Sequence, residues 1–222
     1  MKKILLMTSL LLVSCSHSNR RHHSLGDSHA HGHHRFEDAK KWAAIFEDDK
    51  REAWQRPGFI MDFAGIKNDS IIADIGSATG FFPIRLSARA HRGRVWGIDI
   101  EPTLVNYLNE RAQREGVRDL YSILGTPTDP LIPEKVDFIF LINTYHHIGN
   151  RLAYFSNLKK SLKKKGKLVI VDFKKGDLPF GPKDEMKISY RMVKKELQAA
   201  GFTRQKHSLE LEYQFLSVFE VI

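Results

Sequence analysis

The chain has a single cysteine, Cys15, so it can form no internal disulfide and no cysteine-based zinc cluster. It has no long hydrophobic run. The longest, Ile4 to Val13, is interrupted by Thr8 and Ser9. It is far shorter than the ~20-residue helix that spans a bilayer, which excludes an integral helical bundle. No internal repeat is present. Collagen-like and wholly disordered compositions are also absent: 42% of residues are apolar and 27% charged, close to globular averages. The 222 residues suit one ordinary domain with a short extension. Acidic residues are the minority, 26 against 35 Lys and Arg, for a net charge of +9. Such an excess points to a partner only where it is clustered. The clearest cluster is Lys159, Lys160, Lys163, Lys164, Lys165 and Lys167. It lacks the interleaved aromatics of single-strand binders, which argues against nucleic acid. Helical spacing puts much of it on a solvated face, suited to anionic lipid headgroups.

The first residues do not read as part of the fold. Lys2 and Lys3 precede the apolar stretch, the pattern of an export signal. Its end, Leu12-Val13-Ser14-Cys15, resembles a bacterial lipobox, in which the cysteine is lipidated and becomes the mature N-terminus. The expected organisation is a signal peptide over 1–14, a tether over 15–35 and a folded domain over 36–222. The expected location is the cell envelope, on its periplasmic or surface side, with Cys15 carrying the lipid. The tether is polar and holds seven of the eleven histidines: His17, His22, His23, His29, His31, His33 and His34. With almost nothing apolar to bury, it is expected to be disordered. Spaced histidines can bind zinc, nickel or copper loosely, but no carboxylate or cysteine stands at ligand spacing to define a site.

From residue 36 the pattern becomes regular. Phe36 to Trp54 reads as an amphipathic helix that Pro57 stops or redirects, and Ile60 to Ile66 as a second short turn or helix. Short apolar runs at 71–75, 95–99, 120–124, 136–142 and 168–171 suit buried parallel strands. Helical stretches fall between most of them, with Pro102 opening one and Gly166 closing another. A helix over Ser189–Ala200 stops at Gly201, and two last strands, 207–212 and 214–221, have no room for a helix between them. The expectation is an α/β fold with a doubly wound, mostly parallel seven-stranded sheet and an antiparallel C-terminal edge.

In such sheets ligands sit beyond the carboxyl ends of the strands. The first strand-to-helix turn is Asp74-Ile75-Gly76-Ser77-Ala78-Thr79-Gly80, whose glycines allow a tight turn close to a ligand. Asp99 follows Gly80 by nineteen residues, at the end of the second strand, where a carboxylate takes the hydroxyls of a ribose. Asp74 in the loop mouth would repel a pyrophosphate and attract an ammonium or sulfonium. Charge matching therefore favours S-adenosylmethionine over NAD.

The segments ADIGSATGFF at 73–82, VWGIDIEPTLV at 95–105, DFIFLINTYHHI at 137–148, LKKKGKLVIVDF at 162–173 and VKKELQAAGF at 193–202 together resemble class I S-adenosylmethionine-dependent methyltransferases of the ubiquinone/menaquinone-biosynthesis-like "type 11" kind. The resemblance implies the Rossmann-like methyltransferase fold. It implies that Asp74, Gly76, Ser77, Thr79 and Gly80 surround the methionine moiety, that Asp99 holds the ribose and Ile100 packs on the adenine, and that Asn143 closes the pocket beside the methyl. Relatives often carry an acid bonding the adenine amino group where this chain has Thr126, with Asp129 as the nearby alternative.

Methyl transfer from a sulfonium is an in-line displacement that needs alignment above all. A base is needed only when the acceptor must lose a proton. The candidates at strand ends are Tyr145 and His146 after the fourth strand and Asp172 after the fifth, with His147 and Lys174 beside them. Residues 176–182, Glu185 and Lys187 lie in the loop expected to meet the acceptor, and Trp42, Phe46 and Trp54 either fold over the cofactor or pack on the sheet. The expected function is methyl transfer to a small-molecule or lipid-like acceptor. The alternatives are an envelope lipoprotein binding metal through its histidine tail on a non-catalytic scaffold, and an NAD-linked oxidoreductase disfavoured by Asp74. Compartment pulls against the first reading, because the cofactor is made in the cytosol while the leader points outward.

Overall fold

The computed structural model describes residues 38–48 and 50–222. The signal segment, Cys15, the tether and its histidines lie outside the described residues.

The strands are β1 (Ile71–Ile75), β2 (Arg94–Asp99), β3 (Leu120–Leu124), β4 (Val136–Ile142), β5 (Leu162–Phe173), β6 (Phe202–Ser208) and β7 (Gln214–Val221). They form one sheet in the order β3-β2-β1-β4-β5-β7-β6. The first five run parallel and β7 runs antiparallel to both of its neighbours. The antiparallel pair does sit at one edge, with the C-terminal strand as its inner member and β6 outside. The turn between β6 and β7 is short, so the returning strand must pair at once. Its apolar QFLSVFEV run is buried over six residues from Gln214 to Phe219, which suits the inner position, whereas the polar TRQK stretch of β6 suits an edge.

Helices α1 (Ala39–Phe46) and α2 (Lys50–Gln55) replace the single leading helix read from the sequence, and Pro57 opens α3 (Pro57–Ala64) at its first turn. Then come α4 (Phe81–Arg89), α5 (Pro102–Arg114), α6 (Arg151–Leu158) and α7 (Tyr190–Ala199). Strand alternation sends Ile72, Val95, Phe138, Phe140, Val169 and Val171 toward α3, α4 and α5, and Ala73, Ile75, Ile139, Leu141, Leu168 and Ile170 toward α6 and α7. Both faces are therefore covered. Among the described residues no helix is long and apolar enough to cross a membrane.

The lysine run departs from its helical reading. Lys159 and Lys160 form a 3-10 turn, and Lys163, Lys164, Lys165 and Lys167 lie in β5. Gly166 is a buried strand residue rather than a helix end. Val136 pairs with Leu162 and Lys167 with Glu220, and Lys163 holds Asp137 at 2.8 Å. Sheet partners at Leu162 and Lys167 override the local helical spacing, and Lys163, Lys164 and Lys165 lie in the irregularity between them. This end of β5 lies opposite the end that carries Asp172.

Candidate functional site at the carboxyl ends of the strands

The turn after β1 folds back onto β2. Gly76 and Ser77 both donate their N–H to the Ile98 carbonyl, at 2.8 and 3.0 Å. Gly76 and Gly80 adopt φ of 79° and 101°, and a Cβ on them would fall 2.2 Å from the Thr144 hydroxyl and 2.3 Å from a Leu108 methyl. Only glycine fits either place. Between them Ala78 holds φ 46°, a conformation that disfavours any side chain, so that its N–H reaches Asp99 Oδ2 at 2.9 Å.

Asp99 ends β2 and is buried. One oxygen accepts from Ala78 and the other from Glu101 N, at 3.1 Å. Burial raises its pKa, against those backbone donors. Ile100 beside it is exposed, as a side chain that packs on a planar ligand must be. Asp74 is 3% exposed and its Oδ1 has no hydrogen-bond partner. Burial pushes its carboxyl up to about 8; Arg51 pulls it down and Asp99 adds a smaller push upward. Ser77 Oγ is likewise buried without a partner. An orphaned carboxylate oxygen, an orphaned hydroxyl, a second buried acid bonded to the same loop and a side-chain-free cradle fit a ligand with a cationic amino-acid end and a ribose.

Some expected residues face elsewhere. Thr79 is fully buried and its hydroxyl donates to Glu47 at 2.7 Å, while Arg111 bridges Glu47 and the Thr79 carbonyl. Thr79 thus fastens the leading segment to the loop. Thr126 is exposed and its hydroxyl is bonded to the backbone of Asp129. The Asp129 carboxylate accepts from Leu131 N at 2.9 Å and from the Asn157 amide at 3.0 Å, one donor on each oxygen. Asn143 ends β4 at φ 57° and accepts from the buried amide of Gln214.

The catalytic candidates separate. Tyr145 is fully buried, stacks on Phe155 at 5.1 Å and donates its hydroxyl to Glu196 at 2.6 Å, where Arg151 also binds. Burial and that bond raise its pKa, so the phenol keeps its proton and faces α7 rather than an acceptor. His146 and Asp172 do meet, with Nδ1 2.8 Å from Oδ1 and both side chains nearly inaccessible. A carboxylate at Nδ1 places the proton there and leaves Nε2 as the acceptor. Lys187, expected to face an acceptor, is buried and donates to the Gly176 carbonyl at 2.6 Å. Trp54 packs on Phe180 of that loop and on Tyr213 and Phe173.

Sequence reasoning missed Arg51 and Gln55 on α2. Arg51 fell inside the amphipathic helix read over Phe36 to Trp54 and Gln55 just past its end, and neither was singled out. The one signal was their i,i+4 spacing, which puts both on one face.

The methyltransferase-domain family profile matches residues 66–215. Among curated proteins, the chain is 31% identical over 118 residues to erythromycin 3''-O-methyltransferase of Saccharopolyspora erythraea, covering 51% of this chain and 38% of that protein. It is 25% identical over 135 residues to tRNA U34 carboxymethyltransferase of Aliarcobacter butzleri, covering 58% of this chain and 43% of that protein. The match thus spans about two-fifths of either relative. Among solved structures, a SAM-dependent methyltransferase from Aquifex aeolicus superposes with a TM-score of 0.77 at 26% identity, covering 83% of this chain and 99% of that one. The chain belongs to the methyltransferase-domain family, and the domain it carries is of the S-adenosylmethionine-dependent kind.

Proposed function

We propose that this protein transfers a methyl group from S-adenosylmethionine to a small-molecule or lipid-like acceptor. The observation that carries the reading is the pair of buried acids, Asp74 and Asp99, set around a glycine cradle at the carboxyl ends of β1 and β2. Asp74 would hold the ammonium and Asp99 the ribose hydroxyls. The cofactor supplies an activated methyl on a sulfonium, and the protein supplies alignment, worth about 7–11 kcal/mol in well-oriented reactions. Where the acceptor is a hydroxyl, Nε2 of His146 takes its proton while Asp172 steadies the imidazolium. The O-methyltransferase relative supports an oxygen acceptor. The other relative is named for tRNA, but the basic run of this chain lies at the far end of β5 from the site.

Calorimetry of the full chain with S-adenosylmethionine and S-adenosylhomocysteine tests the reading. Binding in the micromolar range is expected, and no heat from a chain shown to be folded would overturn it. The sign of the pH dependence follows from Asp74. Free Asp74 holds a proton below about 8, and an ammonium needs its carboxylate. Binding near pH 6 therefore releases a proton, and affinity rises as pH rises toward 8. Buffers of different ionisation enthalpy read that proton directly, and an affinity flat with pH would contradict it.

We further propose that the chain is exported and lipid-anchored at Cys15 in the cell envelope. Support comes from the basic start, the apolar run and the one cysteine after Ser14. Mass spectrometry of the N-terminal peptide is expected to show a diacylglyceryl thioether on Cys15 and loss of residues 1–14. An intact, unmodified leader would refute the anchor. The metal-binding scaffold gains no support from the comparisons, which point to methyltransferases.

A further inference from the structure

The lysine run takes no part in the site at the carboxyl ends of the strands. Lys160, Lys164 and Lys165 are exposed, and so is Lys135, which enters the sheet beside them because Val136 pairs with Leu162. The acids at this end are largely spent. Asp137 is taken by Lys163 at 2.8 Å, Glu134 by Arg94 at 2.8 Å, and Glu220 pairs across the sheet with Lys167. Lys135, Lys164 and Lys165 hold no acid among the described residues. Lys165 is kept at φ 66°, a conformation that disfavours a side chain, although Gly166 stands next to it. A bulge formed for shape alone would put the glycine at the left-handed residue. Here that place carries an exposed charge, and strain of this kind collects at functional surfaces. Val221 and Ile222 flank the run, 41% and 82% exposed. Ile222 N donates to the Gly201 carbonyl at 3.0 Å, and Lys159 lies against Gly201. Free cations rimmed by apolar side chains suit an anionic lipid surface. They suit nucleic acid poorly. Lysine offers no fork for a base or phosphate, and Phe138, the ring under Lys167, is buried and closed to stacking.

We propose that this lysine-rich end of the sheet docks on the headgroups of an anionic membrane, with Lys135, Lys164 and Lys165 as its contacts. Docking fixes the orientation of the domain. Asp172 follows Lys165 by seven residues of one strand, a span of about 23 Å. That is more than twice the ~8 Å over which charge acts in physiological salt. The carboxyl-end site therefore faces water rather than the bilayer. Under the cofactor reading, on which this consequence rests, the acceptor arrives from the aqueous side.

The test is sedimentation of the full chain, carrying Cys15→Ser so that no lipid is attached, with vesicles of about two parts phosphatidylcholine to one of phosphatidylglycerol. Every variant shares the same leader, so its contribution cancels in the ratios. Lys135→Gln, Lys164→Gln and Lys165→Gln together are expected to weaken binding about a hundredfold, at about fivefold for each lysine near an anionic surface. The charge-matched control, Lys40→Gln, Lys183→Gln and Arg191→Gln, removes exposed cations outside the patch and is expected to cost less than about threefold. Equal weakening by both triples would mean that net charge alone acts, and overturns the proposal. Lys165→Gly keeps the proposal falsifiable if the first triple fails to fold. It relieves the left-handed residue, so the chain is expected to melt at least as high as wild type while vesicle affinity falls about fivefold. Unchanged affinity in that variant overturns the proposal. So does tighter binding of a single-stranded oligonucleotide than of the vesicles, lost in the same triple. S-adenosylhomocysteine is expected to bind the free and the vesicle-bound chain alike, and its exclusion by vesicles refutes the orientation. A chain that docks through these lysines but never binds S-adenosylhomocysteine supports the docking surface and refutes only the cofactor reading.

Discussion

Asp99→Ala is expected to weaken S-adenosylmethionine binding by a factor of about 10² to 10⁴. Each Asp99 oxygen already accepts one backbone N–H, from Ala78 and from Glu101. Each therefore has a lone pair left for a hydroxyl. Two hydrogen bonds to a charged group at about 1.5–3 kcal/mol apiece give that range. The loop also loses its tie to Ala78, which already holds a disfavoured φ. Asp99→Asn is expected to lose less, because one oxygen remains, although its new N–H₂ must face a backbone donor. Asp137→Asn serves as the control. Its carboxylate holds Lys163 at the opposite end of the sheet, so affinity there is expected to stay at the wild-type value. Isothermal titration reads all three, and an Asp99→Ala chain that binds normally would dismantle the site described here.

Asp172→Ala is expected to lower the melting temperature by about 6–12 °C. The buried carboxylate accepts from His146 Nδ1 at 2.8 Å, from His146 N at 3.2 Å and from Phe173 N at 2.7 Å. Truncation leaves three buried donors without an acceptor. At about 1 kcal/mol each this is roughly 3 kcal/mol, and a domain of this size shifts by about 2–4 °C per kcal/mol. His146→Ala deletes one of the donors, so the double variant is expected to melt higher than the sum of the two single losses allows. Strict additivity in that cycle would mean that the two side chains do not interact. Calorimetric or circular-dichroism melting of the four chains settles the point.

Much of this molecule was readable along the chain. The bounds of β1, β3, β4 and β7 follow from the sequence because each is a short, mostly apolar run set off by turn or polar residues. The glycine turn and the two acids were readable because a tight turn demands particular residues at particular places. The first half of β5 was not. Three successive lysines carry no strand signal of their own, and they fall at the irregularity in the β4–β5 register between the paired Leu162 and Lys167, with Lys165 at φ 66°. Thr79 shows the same limit within the site. Its position in the loop is local, but the direction of its hydroxyl depends on Glu47, thirty-two residues earlier.

The order of elements, the parallel sheet, the cradle and the charge at its mouth are legible along the chain, since each depends on residues near one another in it. Tertiary structure alone decided which strand-end side chains meet. It turned Tyr145 toward Glu196, joined His146 to Asp172 and brought Arg51 and Gln55 over the glycine loop. Those contacts join residues from about 25 to 50 positions apart, and a periodicity read along one segment holds no information about the face that another segment presents to it.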